Sequence, residues 1–162
     1  MQAREVLADA NGRRVPGMLW TPTGAARRRP LVLIGHGGSQ HKAHPDVVAL
    51  ASEFVDHGFA AFAIDGPVHG ARRTDSPDSA RLQKEFLQMW RDDPRLDAML
   101  DDWRSALHAL AGFPEVDLES MGWYGVSMGT AYGLPLLACE PRIKAALLGM
   151  WGAEFAHGER LL

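Results

Sequence analysis

The sequence has little of what marks several classes of protein. Its one cysteine among 162 residues excludes an internal disulfide and is typical of a reducing cytoplasm. It has no apolar run near the roughly 20 residues of a membrane span, and its first residues lack the apolar segment of a secretory signal. A net charge of −3 gives no basic surface for nucleic acid. We therefore expect a cytoplasmic protein without nucleic-acid or membrane partners.

Short apolar runs alternate along the chain with segments of helical periodicity. The apolar runs, which predict strands buried on both faces as in a parallel sheet, are residues 30–34, 59–64, 120–124 and 143–150. The helical segments are residues 45–57, 80–91, 96–111 and 128–139. The pattern predicts a single α/β domain over residues 1–162, with a mostly parallel sheet and helices on both faces.

The N-terminal residues show a different pattern. Asn11-Gly12, a strong turn signal, lies between strand-like residues 5–8 and 15–21. This arrangement predicts an antiparallel hairpin. Pro16-Gly17 interrupts its second strand and indicates an edge position or a bulge there.

The most informative motif is the pentapeptide Gly125-Val126-Ser127-Met128-Gly129, of the form G-x-S-x-G. A motif this short occurs by chance, but here a strand-like run precedes it and a helix-like run of small and apolar residues follows it. A serine at such a turn is held in a strained conformation with its hydroxyl clear of the sheet. The motif predicts that Ser127 is a nucleophile, and the alternative is a glycine-rich structural turn.

Two further glycine-rich loops precede this motif, each directly after a predicted strand. They are residues 35–40, which contain His36-Gly37-Gly38-Ser39, and residues 65–70. Loops at the carboxyl ends of parallel strands meet at one edge of a sheet. Acyl transfer needs N–H donors where negative charge develops on the carbonyl oxygen. We expect these oxyanion-hole donors to be the N–H of Met128 and that of Gly38 or Ser39.

Taken in chain order, the three glycine motifs resemble a known family. His36-Gly37-Gly38, Asp65-Gly66-x-x-x-Gly70 and Gly125-x-Ser127-x-Gly129 are similar to the motifs of α/β-hydrolases, and most of all of dienelactone-hydrolase-like esterases. The resemblance implies a serine hydrolase of small-molecule carboxylic esters that needs no cofactor. It also implies that Ser127 is the nucleophile and that His36 shapes the oxyanion-hole loop without being the catalytic base.

The family orders its triad as nucleophile, acid and histidine, but only 35 residues follow Ser127. By resemblance, Glu154 lies where some members place the acid, and His157 is the histidine nearest to it. A base must contact the serine while the acid contacts its other ring nitrogen, which two close neighbours in one tail rarely achieve. Glu154 and His157 are therefore candidates for acid and base, with ordinary polar tail residues as the alternative.

A complete member of the family would continue with two more strand–helix units. We therefore expect the C-terminal strands of the fold to be missing and residues 143–150 to form an exposed apolar edge. Either the chain is an N-terminal portion of a larger hydrolase, or a homo-oligomer or partner chain completes the sheet and the triad. The second functional interpretation is a catalytically incomplete fragment that acts as a binding or scaffold module.

The remaining chemistry-bearing residues have simpler interpretations. His36, His41 and His44 lack the spacing of a zinc site, so we expect no metal. His69 is expected to stabilise its loop, and Asp65 is expected to bond backbone groups. Cys139 lies in an apolar helical segment and is expected to be a buried small side chain and not a nucleophile.

Overall fold

The structure is a computed structural model that describes residues 1–24, 27–92 and 96–150. Its strands are β1 (Gln2–Ala10), β2 (Arg13–Thr21), β3 (Arg29–Gly35), β4 (Ala60–Ile64), β5 (Val116–Val126) and β6 (Ile143–Gly149). Its helices are α1 (Pro45–Asp56), α2 (Ser79–Asp92), α3 (Leu96–Leu110) and α4 (Met128–Cys139), with a short 3-10 helix at Gly70–Arg72. The predicted alternation of strands and helices is confirmed.

The strands form one mixed sheet in the order β1-β2-β4-β3-β5-β6. β1, β2 and β4 pair antiparallel, whereas β4, β3, β5 and β6 run parallel. The carboxyl ends of the parallel strands therefore meet at one edge, where the three glycine-rich loops lie. The sheet and its helices confirm the predicted α/β-hydrolase type of fold with its N-terminal hairpin.

β2 is an interior strand, so the edge position predicted from Pro16-Gly17 is wrong. Pairing with β4 begins at Gly17, and the carbonyl of Pro16 accepts the N–H of Asp65 just past the end of that ladder. The nitrogen of Pro16 thus lies beyond the end of the β2–β4 ladder, where a missing N–H donor is tolerated. A Cβ on Gly17 would lie 2.6 Å from the ring of Phe62, which explains the small residue beside it.

The side chains of β3 enter hydrophobic cores on both faces of the sheet. Leu31 and Leu33 belong to the larger core, beneath α3 and α4, while Val32 and Ile34 belong to the core beneath α1. Successive side chains of a strand point to opposite faces, so a strand covered on both sides needs a continuous apolar run. Within the described ranges, the helices fall short of the length and apolar character that crossing a bilayer requires.

Candidate active site at the strand-to-helix turn

Ser127 lies between the end of β5 and the start of α4. Its φ is 55° and its ψ is −115°, a backbone conformation that residues other than glycine rarely adopt. Its N–H donates to the carbonyl of Gly149 at the end of β6, over 2.8 Å, and its side chain makes no capping bond to the helix. The turn thus presents a half-buried hydroxyl that the helix does not use.

The glycines of the motif are required by close backbone contacts. A Cβ on Gly125 would lie 2.6 Å from the carbonyl oxygen of Gly129, and one on Gly129 would overlap the carbonyl of Gly35. Gly35 and Gly125 are also register partners in β3 and β5. Residues 35–40, named the oxyanion loop after the role that we propose for them, and the serine turn therefore leave the sheet side by side.

A buried threonine fastens the turn to β6. The hydroxyl oxygen of Thr130 lies 2.9 Å from the carbonyl oxygen of Gly125 and 2.7 Å from that of Gly149, and it accepts the N–H of Gly149. Together with the bond from Ser127, these contacts hold the strained backbone from the β6 side.

The oxyanion loop is held by its carbonyl groups. The carbonyl of Gly37 accepts the Gln40 N–H over 3.1 Å and lies 2.8 Å from His36 Nδ1, while that of Gly38 lies 3.0 Å from His69 Nε2.

Within the part of the chain that the structure describes, the N–H groups of Gly38, Ser39 and Met128 donate no hydrogen bond. The Met128 N–H also begins α4, where the helix dipole favours an anion.

His36 is fully committed to the loops. Its Nε2 accepts the Gly66 N–H over 2.9 Å, and its Nδ1 donates to the Gly37 carbonyl. Burial and the nearby His69 lower the pKa of His36 to about 3. The ring is therefore neutral, with both nitrogens engaged, which agrees with a loop-shaping residue and leaves no nitrogen for a general base.

Asp65 is buried beneath the second glycine loop. Its carboxylate accepts the N–H groups of Lys42 and Ala71, as predicted for a residue that bonds backbone, and it forms an ion pair of 2.8 Å with Lys42 Nζ. A Cβ on Gly70 would overlap this carboxylate, so the glycine, at φ 52°, makes room for it. The pair ties the first loop to the second.

An aromatic wall covers the oxyanion loop from α2. Phe86 is buried, and a Cβ on Gly38 would lie 3.0 Å from its ring. Its ring centroid is 6.3 Å from that of His69 and 6.1 Å from that of Tyr132 on α4. The predicted helix 80–91 thus supplies part of the site boundary as well as core.

The other predicted residues either fall outside the described residues or take no part in this arrangement. Glu154 and His157 fall outside the described residues, so the structure places neither. Cys139 is exposed, and its expected burial is wrong because it is the last residue of α4 and lies past Leu136, the last buried residue of that helix. His44 caps α1 by accepting the Asp46 N–H. In residues 1–24, 27–92 and 96–150, no three potential metal ligands converge.

The sequence interpretation missed two residues that hold the site. These are Lys42, which pairs with Asp65, and Thr130, which bonds to Gly149. Lys42 could have been found, because it follows a loop at the carboxyl end of β3 while Asp65 directly follows the adjacent parallel strand β4. For Thr130 the only sign in the sequence is a hydroxyl among apolar neighbours.

Comparisons with known proteins agree with this geometry. No protein-family model and no curated protein matches the chain. Among solved structures, the chain is similar to a cold-adapted esterase from an Arctic intertidal metagenomic library: its PEG-bound complex is 39% identical with a TM-score of 0.82 over 99% of this chain. The native structure of such an esterase is 35% identical, with a TM-score of 0.75 over 98%.

A third solved structure extends the likeness beyond esterases. The dienelactone hydrolase-like promiscuous phosphotriesterase P91, from metagenomic libraries, is 26% identical with a TM-score of 0.74 over 97% of this chain. The chain spans 66%, 62% and 63% of the lengths of these three proteins, in the order given. The shared fold, the ordered glycine motifs and the serine turn lead to one assignment: the chain belongs to the α/β-hydrolase superfamily, in its dienelactone-hydrolase-like group.

Proposed function

We propose that this chain forms the nucleophile and oxyanion-hole part of a serine hydrolase that cleaves small carboxylic esters through an acyl-enzyme on Ser127. The observation that carries the proposal is the strained Ser127 at the strand-to-helix turn, with a hydroxyl that makes no capping bond. The N–H groups of Gly38, Ser39 and Met128, which find no acceptor among the described residues, and the esterase neighbours support it.

The chemistry follows from this arrangement. A general base takes the hydroxyl proton of Ser127 while its oxygen bonds to the ester carbonyl carbon. The resulting oxyanion accepts hydrogen bonds from the Met128 N–H and from the loop N–H of Gly38 or Ser39. Collapse of this intermediate breaks the bond to the alcohol, which leaves with the proton from the base. Water then attacks the acyl-enzyme by the same route and releases the acid.

The described contacts of Ser127 do not include a general base or its acidic partner. Within the described residues, no histidine bonds to the Ser127 hydroxyl, and both His36 and His69 point a nitrogen at a loop carbonyl. Glu154 and His157 remain the candidates in this sequence, and the alternative is that a further segment of a larger hydrolase or a partner chain supplies both groups.

A serine-reactive fluorophosphonate and a p-nitrophenyl short-chain ester test the proposal. We expect covalent labelling and ester hydrolysis by the protein, both lost in Ser127→Ala because the nucleophilic oxygen is gone; loss of a triad residue lowers kcat by about 10⁴- to 10⁶-fold. The matched control is Ser105→Ala on α3. Folded protein that is not labelled, or labelling that survives in Ser127→Ala, contradicts the proposal.

A second candidate function is that of a catalytically incomplete fragment that acts as a binding or scaffold module. The observation that favours it is β6, which ends the described sheet with Leu147 61% and Leu148 37% exposed, a surface that a partner can cover. Folded protein that a fluorophosphonate does not label, while it binds a partner chain through β6, would support this candidate over the first.

A further inference from the structure

Two buried histidines hold successive carbonyl groups of the oxyanion loop. His36 Nδ1 reaches the carbonyl of Gly37, and His69 Nε2 reaches that of Gly38. Their ring centroids are 5.1 Å apart in an edge-to-face arrangement, and His69 is completely buried. The proposed reaction gives His69 no chemical step, although it lies in direct contact with the loop that the reaction uses.

The partners of His69 fix where its proton lies. A carbonyl oxygen can only accept a hydrogen bond, so Nε2 must carry the proton that joins it to Gly38. Its Nδ1 is buried and has no hydrogen-bond partner within the described residues. A proton moved to Nδ1 would leave a buried donor unsatisfied and would set the bare Nε2 lone pair against the carbonyl oxygen of Gly38, so both effects favour the proton on Nε2. Phe86 packs beside both groups and limits the access of water to this bond.

Holding a carbonyl also fixes the N–H of the same peptide group. The described chain contains no cis peptide bond, and in a trans peptide the C=O and the N–H point in opposite directions. His36 and Gln40 therefore orient the Gly38 N–H through the Gly37 carbonyl. In the same way, His69 orients the Ser39 N–H through the Gly38 carbonyl. Glycine has the widest backbone freedom, so a peptide that follows Gly38 needs such a restraint.

We propose that His69 is a positioning residue of the oxyanion hole: its Nε2–H fixes the Gly38–Ser39 peptide group and directs the Ser39 N–H toward the oxyanion formed on the substrate. The inference rests on the proposed hydrolase function and goes beyond it, because it assigns the restraint that orients the Ser39 N–H, one of the two candidate loop donors. His69 acts through this peptide and does not touch the reacting atoms.

The peptide group can be observed by itself. Gly38-Ser39 is the one Gly-Ser dipeptide of the sequence, so carbonyl-labelled glycine with amide-labelled serine gives a single correlated resonance in an NMR spectrum. We expect this resonance to shift and broaden in His69→Leu, which has no donor. It should stay near the wild-type position in His69→Gln, whose side-chain N–H can replace Nε2–H.

A matched control removes the same type of bond elsewhere. Exposed His57 also places Nδ1 against a carbonyl, that of Glu53 at the end of α1, over 2.7 Å. His57→Leu should leave the Gly38–Ser39 resonance unchanged. If His69→Leu does not fold, ring nitrogen shifts of the wild-type protein decide the question. A proton on Nε2 of His69 supports the proposal, and a bare Nε2 overturns it.

Kinetics test whether the fixed peptide matters in the transition state. Losing one oxyanion-hole donor lowers kcat by about 100- to 1000-fold, so misorienting one should lower it by about 10- to 100-fold. We expect His69→Leu to lower kcat by that factor with little change in KM, and His69→Gln to restore most of it. Wild-type kcat in folded His69→Leu overturns the positioning role alone. No Ser127-dependent labelling of the wild type overturns the proposed function, and the oxyanion role of His69 with it.

Discussion

The two sides of β5 differ in how closely its neighbours approach. On the β3 side, the backbone of β3 at Gly35 contacts that of α4 at Gly129. Two buried histidines and the Lys42–Asp65 ion pair join the loops there. On the β6 side, a run of exposed residues that includes Ala145, Ala146 and Leu147 ends the described sheet. On the β3 side the neighbouring backbones are in direct contact. On the β6 side no described residue covers the apolar surface.

This difference divides the contacts of the candidate site into two groups. The close backbone contacts that shape the serine turn and residues 35–40 lie on the β3 side. Within the described residues, β6 is held by its ladder with β5, by the packing of Ile143 against the core, and by the bonds of Gly149 with Ser127 and Thr130. Substitutions on the two sides should therefore affect different properties: folding and site geometry on one side, and association on the other.

The largest effect is expected from Gly129→Ala. The new Cβ would overlap the carbonyl of Gly35, and backbone on both sides leaves no flexible side chain to move away. We expect a loss of unfolding free energy of about 3 kcal/mol or more, at the upper end for overpacked positions, measured by urea denaturation. In the control Gly112→Ala, the new Cβ meets its nearest neighbour at 3.6 Å, an ordinary contact. Similar losses in both variants would contradict the close approach of β3 and α4.

Acid should lower the unfolding free energy by a smaller amount, through the buried histidines on the β3 side of β5. Burial, with the neighbouring His69, lowers the pKa of His36 to about 3, against 6.5 when unfolded. The folded chain then binds fewer protons between these values, so the contribution of neutral His36 is complete above pH 6.5 and is lost as the pH falls toward 3. From pH 7 to pH 5 we expect the unfolding free energy to drop by about 2 kcal/mol.

Burial also lowers the pKa of His69, so this ring adds to the acid sensitivity. Urea midpoints at the two pH values measure the drop, which His69→Gln should reduce and His57→Leu should leave unchanged. An equal midpoint at pH 7 and pH 5 would contradict neutral, buried histidines in the loops.

Much of this contrast was visible in the sequence. Periodicity located the strands and helices because each apolar run matches a strand covered on both faces, as Leu31 to Ile34 show. The motif placed Ser127 correctly at a strand-to-helix turn, since only a glycine pattern permits that turn. The prediction for β5 is too short, because its first residues, 116–119, alternate apolar and polar and do not continue the apolar run on which the prediction rested.

The bonds that hold the site were harder to predict. The Lys42–Asp65 pair and the bond from His69 to Gly38 join residues 23 and 31 positions apart. Such contacts depend on how loops meet after the sheet forms, which local patterns do not encode. The exposure of Cys139 has the same origin, since an apolar segment does not reveal which of its residues face the neighbouring elements.

The smallest effect on stability is expected on the open side. Leu147 is 61% exposed on β6, so Leu147→Lys removes little buried surface, and its unfolding free energy should stay within about 0.5 kcal/mol of wild type. Self-association should weaken, because a lysine on an edge strand disfavours pairing with another strand. Sedimentation over a wide range of protein concentration measures this. Leu7→Lys is the matched control, since Leu7 is 59% exposed on β1, the opposite edge of the sheet. If both variants reduce association equally, general hydrophobicity explains it; if only Leu147→Lys does, β6 is the edge that another strand covers.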